Sequence, residues 1–167
     1  MLHLKTAAGE RLEIIASSIL AVFKPCDHVQ PSAIIFDMGT GMQFEALSDQ
    51  YGFVKKAVID NMAMINPIEV RLVEGTQIGV DTRTGQPVMA APFNEGRLFI
   101  PRDMIVGRRE IVDDPNGIKA KLFLDMRGKR MVFNVADTLD EMDGVDPAAP
   151  APAASLPEPI APISEGA

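Results

Sequence analysis

Cys26, Asp27 and His28 stand side by side after Pro25. A thiol, a carboxylate and an imidazole are the groups that metal binding and nucleophilic catalysis draw on. Zinc takes four ligands and a catalytic thiol takes an oriented base, yet the chain holds one cysteine and two histidines, the other being His3. The trio therefore reads as a polar loop with a free thiol, and no metal or cofactor is expected. Gly39-Thr40-Gly41 has a superficial likeness to a phosphate cradle. A dinucleotide or P-loop motif needs further glycines, or Lys-Ser/Thr at the head of a helix. Here the strand pattern Met42-Gln43-Phe44-Glu45-Ala46 follows, so a hairpin turn is the better reading. Asp137, Asp140, Glu141 and Asp143 form an acidic cluster without the spacing of an EF-hand, and acids favour the start of a helix. No nucleophile, base and metal set converges, so an enzyme is not expected.

The basic residues are more informative. Between Arg97 and Phe133 there are nine Lys/Arg and five acids, a net +4, which leaves −11 on the rest of a chain whose total is −7. Arg108, Arg109, Lys119, Lys121, Arg127, Lys129 and Arg130 are the candidate binding residues. Clustered cations release counterions when they meet an anion, so nucleic acid is one partner to weigh. The acidic total and the scarcity of aromatic residues for stacking favour instead a solvated strand face that pairs with the acidic remainder.

The elements that must position these residues are mainly strands. Leu2–Thr6 and Arg11–Ile14 alternate around Gly9, and Ile19-Leu20-Ala21-Val22-Phe23 is stopped by Pro25. Ser32–Asp37 and Met42–Ala46 flank the glycine turn as a hairpin. A helix follows, capped by Ser48 or Asp49, with Tyr51, Val54, Val58, Met62 and Ile65 as its apolar stripe and Lys55, Lys56 and Asp60 on its wetter side. Ile68–Val73 opens the second half, and a glycine- and proline-rich stretch of about 20 residues, 75–95, reads as a long hairpin or excursion turning at Thr84-Gly85. Asp137-Thr138 opens a short closing helix, in which Thr138 and Glu141 fit a capping box.

The second half repeats the first. Leu12-x-Ile14 with Ile19 matches Leu98-x-Ile100 with Ile105, Asp37-Met38 matches Asp125-Met126, and Met42-x-Phe44 matches Met131-x-Phe133. The order of strand, glycine turn, strand, Ser-Ile step, hairpin and closing helix resembles the small FlbD/SwrD-type flagellar proteins. The residues that carry the likeness are Leu4, Gly9, Leu12, Ile14, Ser18-Ile19 and Val22, then Ile34, Phe36, Gly41 and Phe44. It covers residues 2–60 and, more loosely, 68–143. The resemblance implies a small β-module; the duplication, the 75–95 insertion and the Pro/Ala tail depart from that family.

The expected fold is therefore α+β, mainly β: two small related β-units, 1–66 and 67–145, each closed by a helix. Residues 146–167 carry six prolines and seven alanines and are expected to be a disordered tail. No run approaches the roughly 18 apolar residues of a membrane span, so no membrane partner is expected, and a cytoplasmic location is. The expected function is a non-catalytic protein-interaction or regulatory module, self-associating through strand edges or through its oppositely charged halves. The alternatives are nucleic-acid or anion binding through the basic 97–130 face, and a structural part of a phage or motility assembly.

Overall fold

A computed structural model describes residues 1–145, so the expected tail lies outside the described residues. The chain is mainly β. In order it forms β1 (Leu2–Lys5), β2 (Arg11–Ile14), β3 (Ile19–Lys24), β4 (Ser32–Asp37), β5 (Met42–Leu47), α1 (Tyr51–Asp60), β6 (Pro67–Val80), β7 (Pro87–Pro101), β8 (Ile105–Glu110), β9 (Ala120–Met126), β10 (Lys129–Val135) and α2 (Leu139–Met142). One antiparallel sheet takes eight strands in the order β5-β4-β3-β7-β6-β10-β9-β8, and β1–β2 form a separate hairpin. Residues 1–66 and 67–145 thus share one sheet, joined where Val22, Phe23 and Lys24 of β3 face Phe99, Leu98 and Arg97 of β7.

Local chemistry sets most of the turns. Asp37 Oδ1 accepts the Gly39 N–H at 2.7 Å and the Gly41 N–H at 3.3 Å, which closes the β4–β5 turn. Between β9 and β10 the two linking residues, Arg127 and Gly128, have φ of 52° and 89°. Positive φ at both positions is the geometry whose twist matches that of the flanking strands. Asp125 Oδ1 accepts the Gly128 N–H at 2.7 Å.

Side-chain alternation then sorts residues into two cores. Phe23, Ala33 and Ile35 join Leu98, Ile100, Leu122, Leu124 and Met142 on one face. Val22, Ile34 and Phe36 join Leu4, Ile14, Val54, Val58 and Phe99 on the other, beneath α1 and the β1–β2 hairpin. Each fully buried Leu or Ile contributes about 2–3 kcal/mol of transfer free energy. On β9 the pattern is clean: Ala120, Leu122, Leu124 and Met126 are buried while Lys121, Phe123 and Asp125 are half-buried.

Three details of α1 depart from the sequence reading. Neither Ser48 nor Asp49 caps it. Gln50 occupies the cap position without a side-chain bond, because the Asp49 carboxylate accepts the Lys5 N–H at 2.7 Å. The helix ends at Asp60, so Met62 and Ile65 are 85% and 84% exposed, and Met64 is buried in their place. Lys55 also turns from the wet side: its Nζ lies 2.8 Å from Glu69 Oε2, which accepts the Tyr51 hydroxyl at 2.6 Å. Burial would raise the Glu69 carboxyl, but these bonds hold it below the usual carboxylate range. The cluster ties α1 to β6. At α2 the capping box forms as the sequence implies, with Thr138 Oγ1 accepting the Glu141 N–H at 3.0 Å and Glu141 Oε1 accepting the Thr138 N–H at 2.9 Å.

Candidate functional site

The β6–β7 hairpin is much longer than its neighbours. β6 and β10 share one ladder position, Leu72↔Val135, and β7 meets β3 no further out than Arg97↔Lys24. Beyond those points the ribbon of residues 73–96 projects from the sheet with both outer edges outside any described ladder, turning at Gly85, whose N–H donates to the Asp81 carbonyl. Its exposed apolar side chains include Ile78, 67% exposed, Val80 and Val88. Gly75–Val80 and Thr84–Asn94 contain no charged residue.

Where β6 and β10 part, a cleft of about 530 Å³ opens. The curved sheet sets Phe23 between Phe44 and Phe133, with ring centroids at 6.1 and 5.9 Å. β10 lines the cleft with four consecutive residues, 131–134, and β6 with 72–75. Neighbouring residues in a strand point to opposite faces, so a consecutive run along a wall means the strand presents its edge. Asp27 and Glu74 also line the cleft, and no Lys, Arg or His does. Burial and the nearby Asp27 push the Glu74 carboxyl above its ordinary value.

A titration follows from that shift. Because the folded-state pKa of Glu74 lies above the unfolded one, its contribution favours the fold most fully at acid pH. It fades as pH rises through the carboxylate range. Glu74 remains exposed to solvent, which screens the effect, so Glu74→Gln should leave the melting temperature slightly higher at neutral pH and unchanged near about pH 3.5. A lower melting temperature at neutral pH would contradict the unfavourable setting of this charge beside Asp27.

Cys26 is buried in the cleft wall, beneath the β7 backbone at Gly96. Burial, with Glu74 and Asp27 nearby, pushes its thiol up to about 11, so it is held as the neutral, unreactive form at physiological pH. His28 is exposed in a turn with φ of 58°. Among the described residues no group of three or more His, Cys, Asp and Glu is placed to hold a metal, and no helix is long and apolar enough to cross a membrane.

The seven basic candidates fall in separate places. Arg108 forks onto Asp143, Nη1 to Oδ1 at 2.8 Å and Nη2 to Oδ2 at 3.3 Å, which holds that carboxyl below its usual range. Arg127 Nη1 lies 3.6 Å from Asp37 Oδ2, and Arg130 Nε lies 3.2 Å from Asp125 Oδ2. Arg109 faces Lys121 across β8–β9, with exposed Lys119 just before β9. Exposed Lys129 sits at the far end of β10, so about 20 Å of strand separates the Lys121 end from the Arg127–Arg130 turn. The sequence reading missed the cleft. Its one signal was the pair Phe44 and Phe133, which the expected repeat sets at corresponding places. No protein-family model, curated protein or solved structure matches the chain.

Proposed function

We propose that this protein is a non-catalytic assembly module that associates with copies of itself through the projecting β6–β7 arm. The observation that carries the reading is the arm's unpaired, uncharged and partly apolar outer run. An unpaired strand edge is a template for another strand, and natural edges are usually blunted by lysine, proline or a covering element. β7 has two donors missing at Pro87 and Pro92, whereas β6 from Gly75 to Val80 has neither proline nor lysine, so β6 is the edge left open. A two-stranded ribbon is marginal by itself in water, and its exposed Ile78 and Val80 gain from being covered. The basic face is the weaker candidate, because Arg108, Arg127 and Arg130 are already ion-paired within the chain.

The arm belongs to a second proposal, that the chain is a duplicated β-module of the FlbD/SwrD type. Supporting it, the Lys5↔Arg11 and Leu4↔Leu12 pairs of the first hairpin have counterparts in Arg71↔Arg97 and Val70↔Leu98 of the second. Asp49 Oδ2 accepts the Lys5 N–H at 2.7 Å, and Asp137 Oδ2 accepts the Arg71 N–H at 3.1 Å. The Ser48 N–H donates to the Lys5 carbonyl and the Ala136 N–H to the Arg71 carbonyl, both at 2.8 Å. On this alignment the arm is an insertion at the tip of the second hairpin, added to a scaffold that folds without it.

Ile78→Lys places a charge on the open edge and should reduce the sedimenting mass to that of one chain, 18.1 kDa, with an unchanged melting temperature. An association that survives this change undiminished would remove the arm from the proposal.

A further inference from the structure

The cleft between β6 and β10 opens at the base of the arm, where Val73, Glu74, Gly75, Met89 and Phe93 line it, and its walls specify an occupant. We infer that it receives an extended segment of a partner polypeptide, apolar at alternate positions and carrying a lysine or arginine, which adds a strand to the open edge of β10. Three features carry this. First, the strand edge: residues 131–134 line the cleft consecutively, and the ladder to β6 stops at Leu72↔Val135, so the β10 backbone beyond that point faces the opening. Backbone pairing supplies affinity in such strand additions, and pockets for alternate side chains supply selectivity. Second, the floor: Phe23, Phe44 and Phe133 offer one apolar surface drawn from three strands, and Phe44 is 63% exposed. A volume of about 530 Å³ takes the side chains of a short extended segment rather than a helix.

Third, the charge. Asp27 and Glu74 stand in the wall with no ion-pair partner among the described residues, and Glu95 is close enough to add to the field at Cys26. A cation entering here compensates carboxylates that are otherwise repelling one another. The same charge disfavours the chain's own residues 146–167, which carry three acids and no Lys or Arg. The arm of a second copy, residues 73–96, brings Glu74, Asp81 and Glu95 against a single cation, Arg83, so it too adds net negative charge.

The test uses the full chain, labelled for amide shifts, with three capped peptides. One alternates valine with threonine and ends in lysine; the second ends in glutamate; the third is the lysine peptide with proline at its centre. The lysine peptide should shift amides within 131–134 and 73–75 and bind about tenfold more tightly than either of the others. Asp27→Asn with Glu74→Gln should remove the preference for lysine over glutamate. Glu74→Gln alone, which should fold at least as well as the native chain, should weaken the lysine peptide about threefold. Equal binding of lysine and glutamate peptides, shifts lying away from the cleft, or no binding at all would overturn the inference. A proline peptide that binds as well as its parent would overturn the strand addition. Repeating the titration on the Ile78→Lys chain, which has an altered arm, keeps this outcome distinct from that of arm association.

Discussion

Gly96→Ala should be the most damaging single substitution, destabilising the fold by about 3 kcal/mol or more in urea unfolding. A Cβ at this position would lie 2.2 Å from the Lys24 carbonyl oxygen and 3.0 Å from Cys26 Sγ. The first of these is backbone, so no side-chain rotation relieves it. β7 would have to move off β3, at the one seam where 1–66 and 67–145 share ladder pairs, Val22↔Phe99, Phe23↔Leu98 and Lys24↔Arg97. Gly79→Ala is the control, since a Cβ there meets nothing within 4 Å and should change stability by no more than about 0.5 kcal/mol. Equal stability of the two variants would mean that β3 and β7 are not in this close contact.

Asp137→Ala comes next, with an expected loss of about 2–3 kcal/mol. Its carboxylate is 13% exposed and accepts both the Arg71 N–H at 3.1 Å and the Arg71 Nε–H at 2.7 Å. Removing it leaves a half-buried guanidinium with only the Ala136 carbonyl and the more distant Glu141. It also loosens Arg71 beside Leu72↔Val135, the one ladder pair that β6 shares with β10. Asp49→Ala, which the proposed duplication aligns with Asp137→Ala, deletes a single exposed bond to the Lys5 N–H and should cost about 1 kcal/mol. If the two substitutions cost the same, the Arg71 ion pair adds nothing. If neither costs anything, the matched hydrogen bonds cannot be what secures each hairpin to its unit.

What could be read from the sequence is what neighbouring residues decide between themselves. The turn at Gly39-Thr40-Gly41, closed by Asp37, and the Thr138–Glu141 capping box both rest on groups a few residues apart. The basic face read less well because its outcome depended on distant acids: Arg108 found Asp143 and Arg127 found Asp37. The α1 stripe was over-extended for a related reason. Met62 and Ile65 keep the helical spacing, but Met62 and Asn66 take positive φ as the chain turns into β6. Asp49 would have served as a cap had β1 not brought the Lys5 N–H to it. The cleft was hidden because Phe23, Phe44 and Phe133 lie on strands that only the curvature of the sheet brings together.

Sedimentation equilibrium of the native chain, over a range of concentrations in about 0.15 M and about 1 M salt, tests the arm most directly. The contact edge has no charge from Gly75 to Val80, so the mass should rise above 18.1 kDa with concentration and do so equally at both salt levels. A mass of 18.1 kDa throughout would contradict self-association, and an association abolished by salt would assign it to the charged faces in place of the arm.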